Sequence, residues 1–253
     1  MGKLKEAWNI VKIYKNWYSV FSHYIMNRRF TAVTKSGLKF YVRNFDDIGL
    51  INHVVLGKDS YSENEIKDNS TVIDIGAHIG VFTVISAKSA DNVRILSFEP
   101  FSENFQILKK NIELNGIRAT VFEKAVCRSS GTRVLYLNES DQSHSLHRKN
   151  NASLSVECTS LKDIFNENEI KKCALLKIDA EGAEYEILYN TPKEVFKKIE
   201  EIFLEYHHDN IEFSESKNNP DALKKFLKAN GFEVEKLMLS KDIGYLRARK
   251  IKH

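Results

Sequence analysis

An apolar run of strand length followed by a segment of helical length recurs along this chain, and few folds accommodate that repetition. Residues 70–75 run into Gly76, and an Ala- and Ser-rich stretch of helical length follows at 81–90. Residues 93–98 repeat the strand signal, and Phe105, Leu108, Ile112 and Leu114 give a helical face that Asn115 and Gly116 close. A third strand is expected at 119–126, and a hairpin arm at 133–137 after Gly131. Residues 138–151 are polar and aperiodic, a loop of a length that is often functional. Residues 152–158 alternate as a strand, and 160–165 read as a short capped helix. The most hydrophobic strand spans 173–178 and ends at Asp179; a helix from Gly182 to Tyr189 follows, then a turn at Pro192 and a fifth strand at 202–204. A helix at 221–230, closed by Gly231, precedes a terminal hairpin of 232–239 and 243–248. Strands alternating with helices imply an α/β fold, a largely parallel sheet covered on both faces with an antiparallel edge.

The length of 253 residues fits one large domain, and no Pro/Gly/Ser-rich linker divides it. With 42% hydrophobic residues and only 3 Pro, collagen, low-complexity disorder and disulfide mini-scaffolds are excluded. A net charge of +4 is too mild to indicate a nucleic-acid partner by itself, and none is expected. Cys127, Cys158 and Cys173 form no C-x-x-C pair, which speaks against a disulfide framework or a cysteine zinc site and suits a reducing cytoplasm. No apolar window is long enough to span a bilayer, and no signal-peptide run follows the N-terminus.

Leu4, Trp8, Val11, Tyr14, Tyr18, Phe21 and Ile25 recur at steps of three and four among Lys3, Lys5, Lys12 and Lys15, the pattern of one amphipathic helix. Such a helix packs on its own domain, packs on a partner subunit in a homo-oligomer, or lies on an anionic membrane surface through residues 4–25. Packing is favoured, because amphipathicity is the normal state of surface helices. A hairpin around Lys35, Ser36 and Gly37 is expected at 29–43. The N-terminal extension is placed at 1–60 and the main domain at 61–253.

The chemistry begins in the strand that ends in Asp74, turns on Gly76 and enters a helix near Gly80. The spacing D-x-G-x-x-x-G lacks the glycines that bring a backbone against a dinucleotide pyrophosphate, which disfavours a nucleotide-dependent oxidoreductase. Asp74 suits a cationic or zwitterionic ligand. Glu99 ends the second strand 19 residues past Gly80, where doubly wound folds place the acid that binds ribose hydroxyls. Pro100 and Phe101 offer an apolar shelf for adenine beside it. Singly, these residues also read as a common turn and a solvated strand end; in order and at this spacing they point to an adenosyl ligand.

The string from Val72 to Thr83, with Phe98-Glu99-Pro100 and with Phe105, Leu108 and Asn111, resembles the FkbM family of S-adenosylmethionine-dependent methyltransferases. The segment from Leu176 to Glu184 resembles that family's second signature, and Glu205, Tyr206 and His207 resemble the E-x-H that ends its next strand. The matches cover about residues 60–210. His78 is a departure, standing where the family usually carries Asn. The resemblance implies a class I methyltransferase, a Rossmann-like sheet of seven strands with the last antiparallel. It puts Asp74, Gly76 and Ala77 at the methionine end of the cofactor, with Gly80 closing that turn. It puts Glu99 on the ribose, and Pro100, Phe101 and the backbone around Ala125 beside adenine.

Methyl transfer to a hydroxyl needs the acceptor oxygen in line with the methyl group and a late removal of its proton. Asp179 and Glu181 end the fourth strand, and Glu205 and His207 end the fifth; residues two apart on a strand share a face. These four suit either general-base catalysis or an oxygen-rich divalent-cation site, and metal dependence stays open. Asp179 and Glu181 also suit the start of a helix, where acids are favoured. Glu184 and Glu186 are read as solvated or paired with lysines, His208 as structural, and His144 and His147 as either substrate contacts or solvated loop residues. The expectation is an O-methyltransferase acting on a small or medium polar acceptor, a sugar of a glycan or glycolipid, or a secondary metabolite. An RNA or protein methyltransferase and a cofactor-binding, non-catalytic module are the alternatives.

Overall fold

The structure is a computed structural model that describes residues 2–26, 28–56, 66–137, 152–207, 219–238 and 243–251. The loop at 138–151 with His144 and His147, and also His208, lie outside the described residues. In chain order the elements are α1 (Gly2–Ile13), α2 (Trp17–Met26), β1 (Phe30–Val33), β2 (Lys39–Val42), α3 (Phe45–Val55), β3 (Thr71–Ile75), α4 (Val81–Lys88), β4 (Arg94–Phe98), α5 (Ser102–Leu114), β5 (Thr120–Phe122), β6 (Ala125–Cys127), β7 (Gly131–Leu137), β8 (Ala152–Ser160), α6 (Leu161–Glu167), β9 (Cys173–Ile178), α7 (Glu184–Tyr189), α8 (Lys193–Phe196), β10 (Ile199–His207), α9 (Pro220–Ala229), β11 (Phe232–Met238) and β12 (Ile243–Lys250).

Seven strands make the central sheet in the order β11-β12-β10-β9-β3-β4-β5. Strands β5, β4, β3, β9 and β10 run parallel, and β12 runs against both β10 and β11. This is the expected class I methyltransferase sheet with its antiparallel terminal hairpin. Period-two alternation splits its apolar residues between two cores. Ile73, Leu96, Leu176, Ile202 and Leu246 face α6 to α9, whereas Val72, Ile95, Leu175, Phe203 and Tyr245 pack with Phe82 of α4.

Two sequence expectations are corrected. The strand expected at 119–126 is two strands: β5 pairs with β4, whereas β6 leaves the sheet and pairs with β8 in a separate sheet of β6-β8-β7. Glu123 and Lys124 separate the two strands, and Ala125, Val126 and Cys127 of β6 are all buried, which local pattern alone does not assign to a different sheet. The single helix over residues 4–25 is two helices, broken because residues 14–16 pair with β1. Asn16 takes the Val33 N–H and donates to the Thr31 carbonyl, and Lys15 N–H bonds the Val33 carbonyl.

Their inner residues Ile10, Ile13, Tyr14 and Val20 form one core with Ile48 and Ile51 of α3, Val84 of α4 and Ile107 of α5. Asn111 ties this layer to the sheet, accepting from Tyr41 N–H and donating to the Ile79 carbonyl. Cys127 and Cys158, 31 residues apart, come within 3.0 Å as free thiols. Among the described residues no helix is long and apolar enough to cross a membrane.

Candidate active site

Strand register arranges the functional residues before any side-chain detail. Ser97, Asp74, Lys177 and Phe203 are partners across four adjacent strands, so they form one row on one face. Two residues onward, at the carboxyl edge, the same face carries Glu99, Gly76, Asp179 and Glu205, and His207 lies two further along β10. Helix α4 covers this face, and its Thr83 hydroxyl lies 2.7 Å from both Asp74 and Ser97.

The β3–α4 turn is built for close backbone approach. Gly76 has φ +73°, and a Cβ there would stand 1.8 Å from the Asp179 carbonyl oxygen. Gly80 has φ +84°, and a Cβ there would meet Leu108 at 2.4 Å. His78, with φ +50°, is also left-handed, a conformation that Asn and His tolerate better than most residues. That explains why an imidazole can stand where the family usually has Asn. Ala77 is buried, and its N–H and that of Gly76 bond the Phe98 carbonyl.

Glu99 is buried, with one carboxylate oxygen accepting the His78 N–H at 2.8 Å and the other the Phe101 N–H at 2.9 Å. Burial pushes its carboxyl up to about 7, against the pull of those two N–H groups. Each oxygen keeps lone-pair capacity for a hydroxyl donor. Pro100 is half-buried; Phe101 packs on the cluster of Ala125, Cys127, Val156 and Cys158, so Phe101 and Ala125, two of the three expected adenine neighbours, are side by side. A hydroxyl-accepting carboxylate, a glycine cradle with no room for a Cβ and an adjacent apolar wall fit an adenosyl group. Asp74 itself lies beneath the turn, fully buried, between Thr83 and Lys177.

Lys177, which the sequence did not single out, lies between the acids of β3 and β9. Its ammonium donates to the Gly76 carbonyl at 2.8 Å and stands 3.4 Å from Asp74 and 3.5 Å from Asp179. Burial pulls this ammonium down, but Asp74 and Asp179 outweigh it and hold it above the usual lysine range. Burial raises Asp74, with Lys177 and Thr83 opposing. A lone lysine inside the most apolar strand was the available signal, since buried lysines are almost always paired.

On the β9–β10 side, Asp179, Glu181 and His207 each offer a ligand atom, all within 4.8 Å of one another, and these three can hold a divalent cation. His207 Nε2 is 3.7 Å from Glu181 and 3.6 Å from Glu205. Its Nδ1 lies 3.2 Å from Glu184, whose carboxylate also accepts the Ala180 and Gly182 N–H groups. Burial works against the imidazolium, but Glu184 first, then Glu181 and Asp179, raise it to about 10. Glu184 is therefore neither solvated nor paired with a lysine, as its helical position had suggested: it is fully buried on His207. Glu186 pairs with Arg133 at 2.7 Å. Glu181 has φ +49° between the two N–H groups that Glu184 holds.

Fold and site define a class I, S-adenosylmethionine-dependent methyltransferase. A putative rRNA-methylase from Clostridium thermocellum shares the fold, with a TM-score of 0.51 and 12% identity over 79% of this chain and 96% of that one. The model of the methyltransferase FkbM domain matches residues 74–234, and the chain belongs to that family. It is similar to Methyltransferase 1 of Beauveria bassiana (strain ARSEF 2860), 25% identical over 197 residues, which cover 69% of this chain and 76% of that protein. It is also similar to Methyltransferase sdnD of Sordaria araneosa, 22% identical over 204 residues covering 66% and 78% respectively.

Proposed function

We propose that the protein methylates a hydroxyl oxygen of a small or medium polar acceptor, a sugar of a glycan or glycolipid or a secondary metabolite. The observation that carries this reading is the convergence of Asp179, Glu181 and Glu205 on His207 beside the glycine turn. S-adenosylmethionine supplies an electrophilic methyl group on a sulfonium. The protein's own task is to align the acceptor oxygen and take its proton. His207, held as an imidazolium at neutral pH, steadies the carboxylates around it, and Glu181 or Glu205 accepts the proton. A divalent cation at the same atoms requires His207 to release its proton first. Asp74 and Glu99 with Gly76 and Gly80 serve the cofactor. Asp179 is followed by Ala180, Glu181 and Gly182, not the Pro-Pro-aromatic run of enzymes that methylate amino groups on nucleic acids, which supports a hydroxyl acceptor.

The test is transfer of labelled methyl from S-adenosylmethionine to a panel of methyl glycosides, hydroxylated metabolites, RNA and protein. Label in an ether of a hydroxylated acceptor is expected; label confined to RNA or protein overturns the reading. Asp179→Asn, Glu181→Gln and His207→Gln should each abolish transfer while cofactor affinity stays within about twofold. Full turnover by all three contradicts their assigned roles.

A further inference from the structure

The two N-terminal helices have an inner and an outer side. The inner side is accounted for by the core that Ile10, Ile13, Tyr14 and Val20 share with α3, α4 and α5. A helix that only packs on its own domain has a polar outer side. Here Trp8 is 70% and Val11 36% exposed, one helical step apart on α1. Lys12 on α1 and Lys15 in the turn that follows it are also exposed. Tyr18, 70% exposed, lies in the first turn of α2 and stacks on Trp17 with ring centroids 3.4 Å apart. Trp8, Val11 and Tyr18 are three of the five large hydrophobic side chains exposed among the described residues.

The charge distribution singles out the same segment. Residues 1–29 contain six Lys and Arg and one acid, Glu6, a net +5, so against the chain's total of +4 the remaining residues sum to −1. The whole positive excess of the protein sits on the segment that also exposes its indole and phenol rings.

We propose that the outer side of α1 and the start of α2 dock on an anionic lipid bilayer. Trp8, Val11 and Tyr18 enter the headgroup region, where amphipathic rings are favoured. Lys12 and Lys15 face the lipid phosphates, each adding attraction that fades within a Debye length. A second copy of the chain is a poorer occupant, because a two-fold interface would set one +5 segment against another. The protein lies on the bilayer and does not cross it, in keeping with the absence of a spanning helix among the described residues. This inference is independent of the acceptor.

The chain carries only two tryptophans, Trp8 and Trp17, so its indole fluorescence reports on this segment alone. Trp17→Phe leaves Trp8 as the single probe. The full chain is titrated with phosphatidylcholine vesicles with and without about 30% phosphatidylglycerol, with co-sedimentation in parallel. A blue shift and sedimentation with the anionic vesicles only are expected, both reversed by about 0.5 M salt. Lys12→Glu with Lys15→Glu should lower partitioning by roughly tenfold or more, and Trp8→Ser with Val11→Ser should do the same. Both pairs are on exposed positions, and unchanged thermal unfolding verifies their fold. No binding, equal binding to neutral vesicles, or variants that bind like the parent overturn the proposal. So does a dimer, or retention on single-stranded RNA, that is lost in these variants while vesicles are ignored.

Discussion

The two halves of the carboxyl edge use acids in opposite ways. On the β3–β4 side, Glu99 is held by the N–H groups of His78 and Phe101 and Asp74 by Thr83 and Lys177, so each acid is fixed before any ligand arrives. On the β9–β10 side, Glu181 and Glu205 flank one nitrogen of a single imidazole, whose other nitrogen rests on the buried, backbone-anchored Glu184. A rigid, backbone-anchored carboxylate suits recognition of a constant group such as a ribose. Acids gathered around a single titratable ring suit proton handling, which follows the acceptor. Lys177 and the Gly76–Asp179 contact join the halves.

The junction is where the largest effect is expected. Gly76→Ala adds a Cβ into the Asp179 carbonyl at a left-handed position, and should cost about 4 kcal/mol or more in urea unfolding and abolish cofactor binding. If the variant folds and binds normally, the halves do not meet as described. Lys177→Met leaves Asp74 and Asp179 without their cation; a loss of about 3–5 kcal/mol is expected, recovered in part by adding Asp74→Asn. Additive losses in that pair would separate the two residues.

His207→Gln sharpens the comparison by striking the acceptor side alone. A histidine raised from 6.5 to about 10 stabilises the fold fully below pH 6.5, and that contribution is lost as pH rises through about 10. The parent should therefore lose about 4 kcal/mol more than the variant between pH 7 and 11 in denaturant titrations. Parallel pH curves would remove the imidazolium from the site. Glu99→Gln does the converse. With the ligand-free carboxyl near 7, ionised Glu99 becomes the better acceptor for hydroxyls as pH rises. Affinity for S-adenosylmethionine should climb about tenfold from pH 6 to 8 in the parent and stay flat in the variant.

The strand–turn–strand frame was legible in the sequence because a strand, a glycine turn and a second strand-terminal acid have fixed spacing. Gly76 and Glu99 lie at the carboxyl edge where that spacing put them, whereas Asp74, expected to face a ligand, is fully buried one row beneath against Thr83 and Lys177. Period-two arithmetic likewise put Glu205 and His207 on one face. What spacing does not carry is the identity of a partner far away in the chain. Asn16 breaks the N-terminal helix because β1 offers it two backbone groups, and Glu184 is buried because Gly182 and His207 receive it. Helical periodicity is the same in either outcome. The departure of β6 toward β8, and the meeting of Cys127 with Cys158, were hidden for the same reason.

The division between recognition and proton handling is tested most directly by titration calorimetry with S-adenosylmethionine on the parent, Glu99→Ala and Glu181→Gln. The parent should bind one cofactor per chain, Glu99→Ala at least about tenfold more weakly while still unfolding cooperatively, and Glu181→Gln within about twofold of the parent. Parent-like affinity in Glu99→Ala, or a loss in Glu181→Gln as large as that expected for Glu99→Ala, would contradict it.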